Sequence, residues 1–361
     1  MSLVKIKYEI LISGIYPFEG VFTKNGYTIV ENVIDSSVVE RTYNAGSIYM
    51  SPLTAYCCYP SGDGDVVYLT FQKEKELEIP YPQDRVYDKA LTNEYLDAEN
   101  LFGEVDDLEK IMVLETNNNI KFPIKKVDIY DNKGNFITSR ANFSKINIPS
   151  LLSANRQLVL ETQKRQENRL SSGISYEKIV ELKSANSYFD NALTIYYSSF
   201  SVEDACVGFA LLMTSLEALL SLSTYSPIEH CSECGQPMYK IRVNVSENVG
   251  LILRDETNTI TSRMKKLYDK RSNFLHNGNR CIEDSDLREL QEYTRKVLLM
   301  YWFISMTIAK SDHREIVNAF RSDEYLKNVL YNTFLTSLSN ESFDERKMQI
   351  IKGIFDTLLK K

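Results

Sequence analysis

The chain has 361 residues, 43% hydrophobic and 25% charged, with a formal net charge of −7. That length suits two or three domains with sizeable cores and excludes a disordered chain, and the acidic balance argues against a general nucleic-acid binder. The excess acid is confined to the first part: residues 1–150 hold 15 Lys+Arg against 22 Asp+Glu, which leaves 27 of each for residues 151–361. The six cysteines form no even framework in a small chain and fit a reduced, cytoplasmic protein. The start MSLVKIKYEILIS has charges within its apolar stretch and does not read as a signal peptide.

Residues 1–150 read as a β-rich domain. KIKYEILIS, YTIVENVI, DVVYLTFQ and KKVDIYD are rich in β-branched and aromatic residues. Turn signals separate them at Asn25-Gly26, at Gly62-Asp63-Gly64-Asp65 and at Asp131-Asn132-Lys133-Gly134. The Gly-Asp-Gly-Asp run lacks the further oxygen ligands of a calcium loop and reads as a hairpin turn. Residues 94–109 carry Glu94, Asp97, Glu99, Glu104, Asp106, Asp107 and Glu109 with no Lys or Arg. Such a run reads as a solvated face; the sharper alternative is a surface that covers a basic helix at rest.

From about 151 the apolar period becomes 3.6, so residues 151–361 read as an α-helical domain and the whole chain as α+β. One helix is expected from Tyr176 to Tyr196, and another from a capping box at Ser201 and Asp204 to Leu222. Others fit 239–254 and 259–277, and one opens with Asp286 and Glu289; the tail 312–361 is helical in pattern. The stretch 205–222 is apolar nearly all round. It is only marginally long enough to span a bilayer and has Glu217 near its middle, so a central core helix is the better reading and no membrane partner is expected. Glu217 is the one charged residue between Asp204 and Glu229. A carboxylate there either pairs, with Arg271 as candidate, or reaches water at the bundle edge.

Residues 263–279, RMKKLYDKRSNFLHNGN, carry the chemistry. Arg263, Lys265, Lys266, Lys270, Arg271 and Arg280 stand against Asp269 alone over residues 261–280, and Asn277-Gly278 is a helix stop. Arg263, Lys265, Lys266, Lys270, Asn273 and Asn277 are candidate RNA-binding residues on this stretch. A neutral His276 imidazole can take the proton of a ribose 2′-hydroxyl, and Arg271 offers a planar fork to the phosphate. Five helical positions place the two about 140° and about 7.5 Å apart, so two such helices crossing at a two-fold axis would form one site. Spacing alone also allows a plainer reading, with His276 capping the helix end and Arg271 in a surface ion pair.

The run Tyr268-Asp269-Lys270-Arg271-Ser272-Asn273-Phe274-Leu275-His276-Asn277-Gly278, with Leu216-Glu217-Ala218-Leu219-Leu220 further back, resembles the R-x4-6-H signature of HEPN domains, in particular the Apea-like subgroup. The resemblance covers about 180–310. It implies an up-and-down helical bundle, usually dimeric, and a metal-independent endoribonuclease, often in bacterial antiviral defence, as in abortive infection, or in a toxin system. Arg271 and His276 take its motif positions, and Glu217, on the matching glutamate-bearing helix, joins them as a candidate catalytic residue that would orient Arg271. The substrate would be tRNA, mRNA or rRNA, the assembly a homodimer or higher, and the trigger phage-derived, with the β-rich part sensing or restraining. This chain departs from the pattern at Ser272, where many active members have Asn, Asp or His. That departure points to the alternative, a non-catalytic HEPN-type module that binds RNA or a protein partner.

No cofactor is expected, apart from a candidate structural zinc. Glu229-His230-Cys231-Ser232-Glu233-Cys234-Gly235 holds one C-x2-C followed by glycine. A closed zinc site needs four ligands, and a second C-x2-C is absent, so Cys231 and Cys234 read either as half a zinc site or as two free thiols.

Overall fold

Strand β1 (Ser2–Ser13) shows how the first half is built: Val4, Ile6, Tyr8, Ile10 and Ile12 are buried, while Leu3, Lys7 and Glu9 face solvent. That two-residue period is what a sheet covered on one face requires. The computed structural model describes residues 2–15, 23–34, 58–60, 66–82, 85–143, 176–220, 229–230, 237–238, 241–253, 257–308 and 310–321. The chain divides into two compact units, Met1–Leu170 and Ser171–Lys361.

In the first unit, β2 (Thr23–Lys24) and β3 (Tyr27–Ile34) form a hairpin through Asn25 and Gly26. Both take positive φ, 51° and 73°, as a type I′ turn requires. Strands β4 (Cys58–Pro60), β5 (Val66–Ile79), β6 (Lys121–Asp131) and β7 (Phe136–Phe143) complete the described sheet. Its order is β2-β3-β5-β1-β6-β7, with β4 paired to β5, and the pairs are antiparallel. The α+β class follows, because helices dominate the second unit. The Gly62–Asp65 turn lies outside the described residues.

Two helices correct the reading of residues 94–109 as a solvated face: α1 (Lys89–Ala98) and α2 (Gly103–Thr116). Glu94 and Glu99 are exposed, but three acids of α2, Glu104, Asp106 and Glu109, find cations on the sheet. Glu104 pairs with Lys73 and, at 3.3 Å, with Lys75. Lys125 bridges Asp106 and Glu109, the latter at 2.8 Å, with side-chain exposures of 8% for Lys125 and 4% for Glu109. Charges this deep persist only when paired. On the open face, Glu74 pairs with Lys5 and Lys7, and Lys126 with Asp128.

The second unit contains α3 (Tyr176–Ala185), α4 (Ser187–Ser199), α5 (Ala205–Leu220), α6 (Ile241–Ile252), α7 (Thr259–Asn277), α8 (Asp284–Ile308) and α9 (His313–Arg321). The strands β8 (Glu229–His230) and β9 (Pro237–Met238) pair with each other. The single helix expected over 176–196 is broken at Asn186. Its Oδ1 accepts the Phe189 N–H at 3.0 Å and caps α4, while its Nδ2 donates to the Tyr301 hydroxyl and the Ser311 carbonyl. The expected capping box at Ser201 is replaced by Asp204 alone, whose Oδ1 accepts the Cys206 and Val207 N–H groups. Residues 221–222 and 322–361 lie outside the described residues.

Helix α5 is central: α4, α6, α7 and α8 all pack on it. Phe209, Leu212, Met213, Leu216, Leu219 and Leu220 are buried, each contributing about 1.5–3 kcal/mol of transfer free energy. Among the described residues no helix is long and apolar enough to cross a membrane.

Candidate functional site

Helix α7 is seated by Met264 and Leu267, both fully buried. Tyr268 and Arg271 continue that stripe at helical spacing, so both side chains are carried toward α5. There they meet Glu217, which stands on a half-buried position of α5. Arg271 Nη2 donates to Glu217 Oε2 at 3.1 Å, and the Tyr268 hydroxyl donates to Glu217 Oε1 at 2.7 Å. The guanidinium carbon also lies 5.6 Å from the Tyr268 ring centre. Glu217 and Arg271 are each 17% exposed, so the pair is shielded but not sealed. Burial, then the bond to Glu217, pushes the Tyr268 hydroxyl up to about 12, so it remains a donor across the physiological range.

Arg271 is under-satisfied. Among the described residues it makes one hydrogen bond, and its buried Nε has no partner. A guanidinium offers five N–H donors in a fixed fork. Glu217 therefore takes one N–H of the fork; the Nε–H is buried, and the donors left for an outside acceptor are those of the terminal Nη1 and Nη2 nitrogens.

His276 is exposed in the last turn of α7 and has no polar partner among the described residues. The helix ends after it because Gly278 takes φ 65°, its N–H returning to the Phe274 carbonyl at 3.0 Å. Five positions on from Arg271 the α-helical rotation has carried the side chain off the buried stripe. Within one chain the structure therefore unites Arg271 with Glu217 and leaves His276 apart.

The basic residues are less free than their count suggests. Arg263 pairs at 2.7 Å with both Asp286 and Glu289, and Lys270 pairs with Asp286 at 2.6 Å. Asp286 also accepts the Glu283 N–H at 2.9 Å, fixing the start of α8. Lys265 lies 3.8 Å from Glu247, Asn273 and Asn277 are exposed and bonded to each other, and Arg280 pairs with Asp204. Lys266 is exposed, with no ion-pair partner among the described residues. Two residues escaped the sequence reading as parts of this site, Tyr268 and Asp286. Tyr268 stands one helical turn before Arg271, a spacing that could have flagged it.

Among the described residues no group of three or more His, Cys, Asp or Glu is placed to hold a metal. The zinc candidates Cys231 and Cys234 lie outside the described residues. No family model, curated protein or solved structure matches the chain.

Proposed function

We propose that the helical unit is a metal-independent endoribonuclease of the HEPN type. It acts as a homodimer or higher assembly on tRNA, mRNA or rRNA, in cytoplasmic antiviral defence or a toxin-like system. The β-rich unit senses a phage-derived trigger or restrains the helical one. Arg271 supports this reading most directly: it is fixed by Glu217 yet keeps unused N–H donors, in a shielded setting where a phosphate oxygen would be strongly held.

The chemistry follows from the two side chains. A neutral His276 imidazole takes the proton of a ribose 2′-hydroxyl, and that oxygen attacks the adjacent phosphorus. Arg271 neutralises charge gathering on the equatorial oxygens. The P–O5′ bond breaks, and the leaving oxygen is protonated by the imidazolium of a second His276, which leaves a 2′,3′-cyclic phosphate. A second copy supplies that imidazole, because one helix cannot aim both of its own groups at one phosphate.

A second reading is a non-catalytic module that binds RNA or a protein partner. The neutralisation of Arg263, Lys270 and Arg271 by Asp286, Glu289 and Glu217 favours it, since a surface so compensated attracts RNA weakly. Expression of wild type and His276→Ala, with total RNA examined for cleavage, separates the two. The enzyme reading expects cleavage by the wild type alone, persisting in EDTA with the purified protein and leaving cyclic phosphate ends. Cleavage equal in both proteins would refute it.

A further inference from the structure

We propose that Tyr268 is a positioning residue that keeps the Glu217–Arg271 pair joined by one bond rather than two, and so keeps donors of Arg271 available to an RNA phosphate. The inference rests on the ribonuclease reading of this site. Its basis is the division of labour at the Glu217 carboxylate. Oε1 accepts the Tyr268 hydroxyl at 2.7 Å and Oε2 accepts a single Arg271 N–H at 3.1 Å. Carboxylate and guanidinium are planar and matched in width, and left to themselves they favour two parallel N–H···O bonds. That fork-to-fork geometry would occupy two of the five donors and one whole edge of the guanidinium. The Tyr268 hydroxyl holds the second carboxylate oxygen away from it.

Tyr268 is suited to this task. It projects from α7 one turn before Arg271, so both reach Glu217 from the same helix. Its hydroxyl is kept protonated by burial and by Glu217, and a donor that does not ionise holds a carboxylate at every working pH. Its ring face also lies beside the guanidinium carbon and limits how far Arg271 can turn. Nothing in this arrangement places Tyr268 on the reacting atoms.

Tyr268→Phe removes the hydroxyl and keeps the ring. The freed carboxylate then turns to chelate Arg271, and phosphate recognition weakens while the bundle stays folded. The measurement is binding of a short single-stranded RNA with 2′-O-methyl riboses, which cannot be cleaved, alongside cleavage of its unmodified counterpart. Tyr268→Phe is expected to weaken binding about tenfold and to raise KM more than it lowers kcat. The same change in a Glu217→Gln background should add almost nothing, because an amide has one oxygen and cannot chelate the guanidinium. A merely structural hydroxyl would give the same loss in both backgrounds, and that result overturns the proposal. So does a Tyr268→Phe protein that binds and cleaves like an active wild type. If the wild type itself neither binds nor cleaves RNA, the ribonuclease reading falls and this inference falls with it.

Discussion

Replacing Glu217 with glutamine tests the centre of the site. The substitution keeps the shape and removes the charge. The favoured orientation of the amide turns its oxygen to Arg271 and its nitrogen to the Tyr268 oxygen, which can accept. What is lost is charge assistance to two hydrogen bonds, at 2.7 and 3.1 Å. Bonds to a charged group contribute about 1.5–3 kcal/mol each against about 1 kcal/mol for neutral ones. Both side chains are 17% exposed, so solvent reduces the difference, and about 1–2 kcal/mol is expected in total. In a domain of this size that lowers the melting temperature by roughly 2–8 °C. The assay is urea unfolding of the full chain followed by helical circular dichroism, for wild type, Glu217→Gln, Arg271→Met and the double variant. The double-mutant cycle should give a coupling of about 1–2 kcal/mol. Cleavage should fall about tenfold in Glu217→Gln, because the anchor of Arg271 is weakened to a neutral hydrogen bond while the imidazole is untouched. Additivity within about 0.3 kcal/mol would show that the pair is not energetically joined, and the anchoring argument would fail.

Arg271→Lys can satisfy Glu217 with an ammonium but offers no planar fork, so stability should stay within about 1 kcal/mol while cleavage falls about 100-fold; cleavage kinetics at wild-type level would remove the clamp role. Lys125→Met removes the 2.8 Å partner of the buried Glu109 and leaves only the field of Lys121 beside it, and about 3 kcal/mol of stability should be lost in thermal melts. Lys125→Met with Glu109→Leu should recover most of it, and a double variant as unstable as the single would show that pairing is not what holds this network. His313 is buried between Tyr188 and Tyr301, its Nδ1 at 2.6 Å from the Tyr301 hydroxyl, and burial brings its pKa down to about 4. The unfolded side chain, near 6.5, takes a proton that the folded one refuses, so its contribution is complete above 6.5 and lost as pH falls through 4. His313→Gln should flatten the fall of the urea midpoint between those pH values, and an unchanged slope would place the acid sensitivity elsewhere.

The fold was most legible where the pattern was periodic and its ends were marked. Asn277-Gly278 closes α7 at the expected residue because only a left-handed position satisfies the carbonyl left open there. The strand at 27–34 shows the same agreement, its register set by Asn25-Gly26. Helix α2 was hidden for the opposite reason. Its acids look like a solvated run until Lys73, Lys75 and Lys125 are placed against them, and those lysines come from strands on either side in sequence. The break at Asn186 was equally hidden. A polar residue inside an apolar period says nothing of Tyr301, 115 residues on, which receives its amide.

The same distinction governs the site. Glu217 left two readings open, a partner or water at the bundle edge, because an unpaired carboxylate in an apolar helix is costly, and that cost is local to the sequence around it. The basic character of α7 is different, because charge counting assumes that the charges remain uncompensated. Asp286 and Glu289 belong to the next helix, and they take Arg263 and Lys270 out of the field that a distant phosphate would feel. Of the cations expected to bind RNA on α7, Lys266 alone is exposed without an ion-pair partner among the described residues, and Arg271 offers its remaining donors next to Glu217. An anion recognised here is thus held by a few oriented N–H groups at short range rather than drawn in by net charge. Such binding falls only gently with salt and depends steeply on geometry, and geometry is what Glu217 and Tyr268 control.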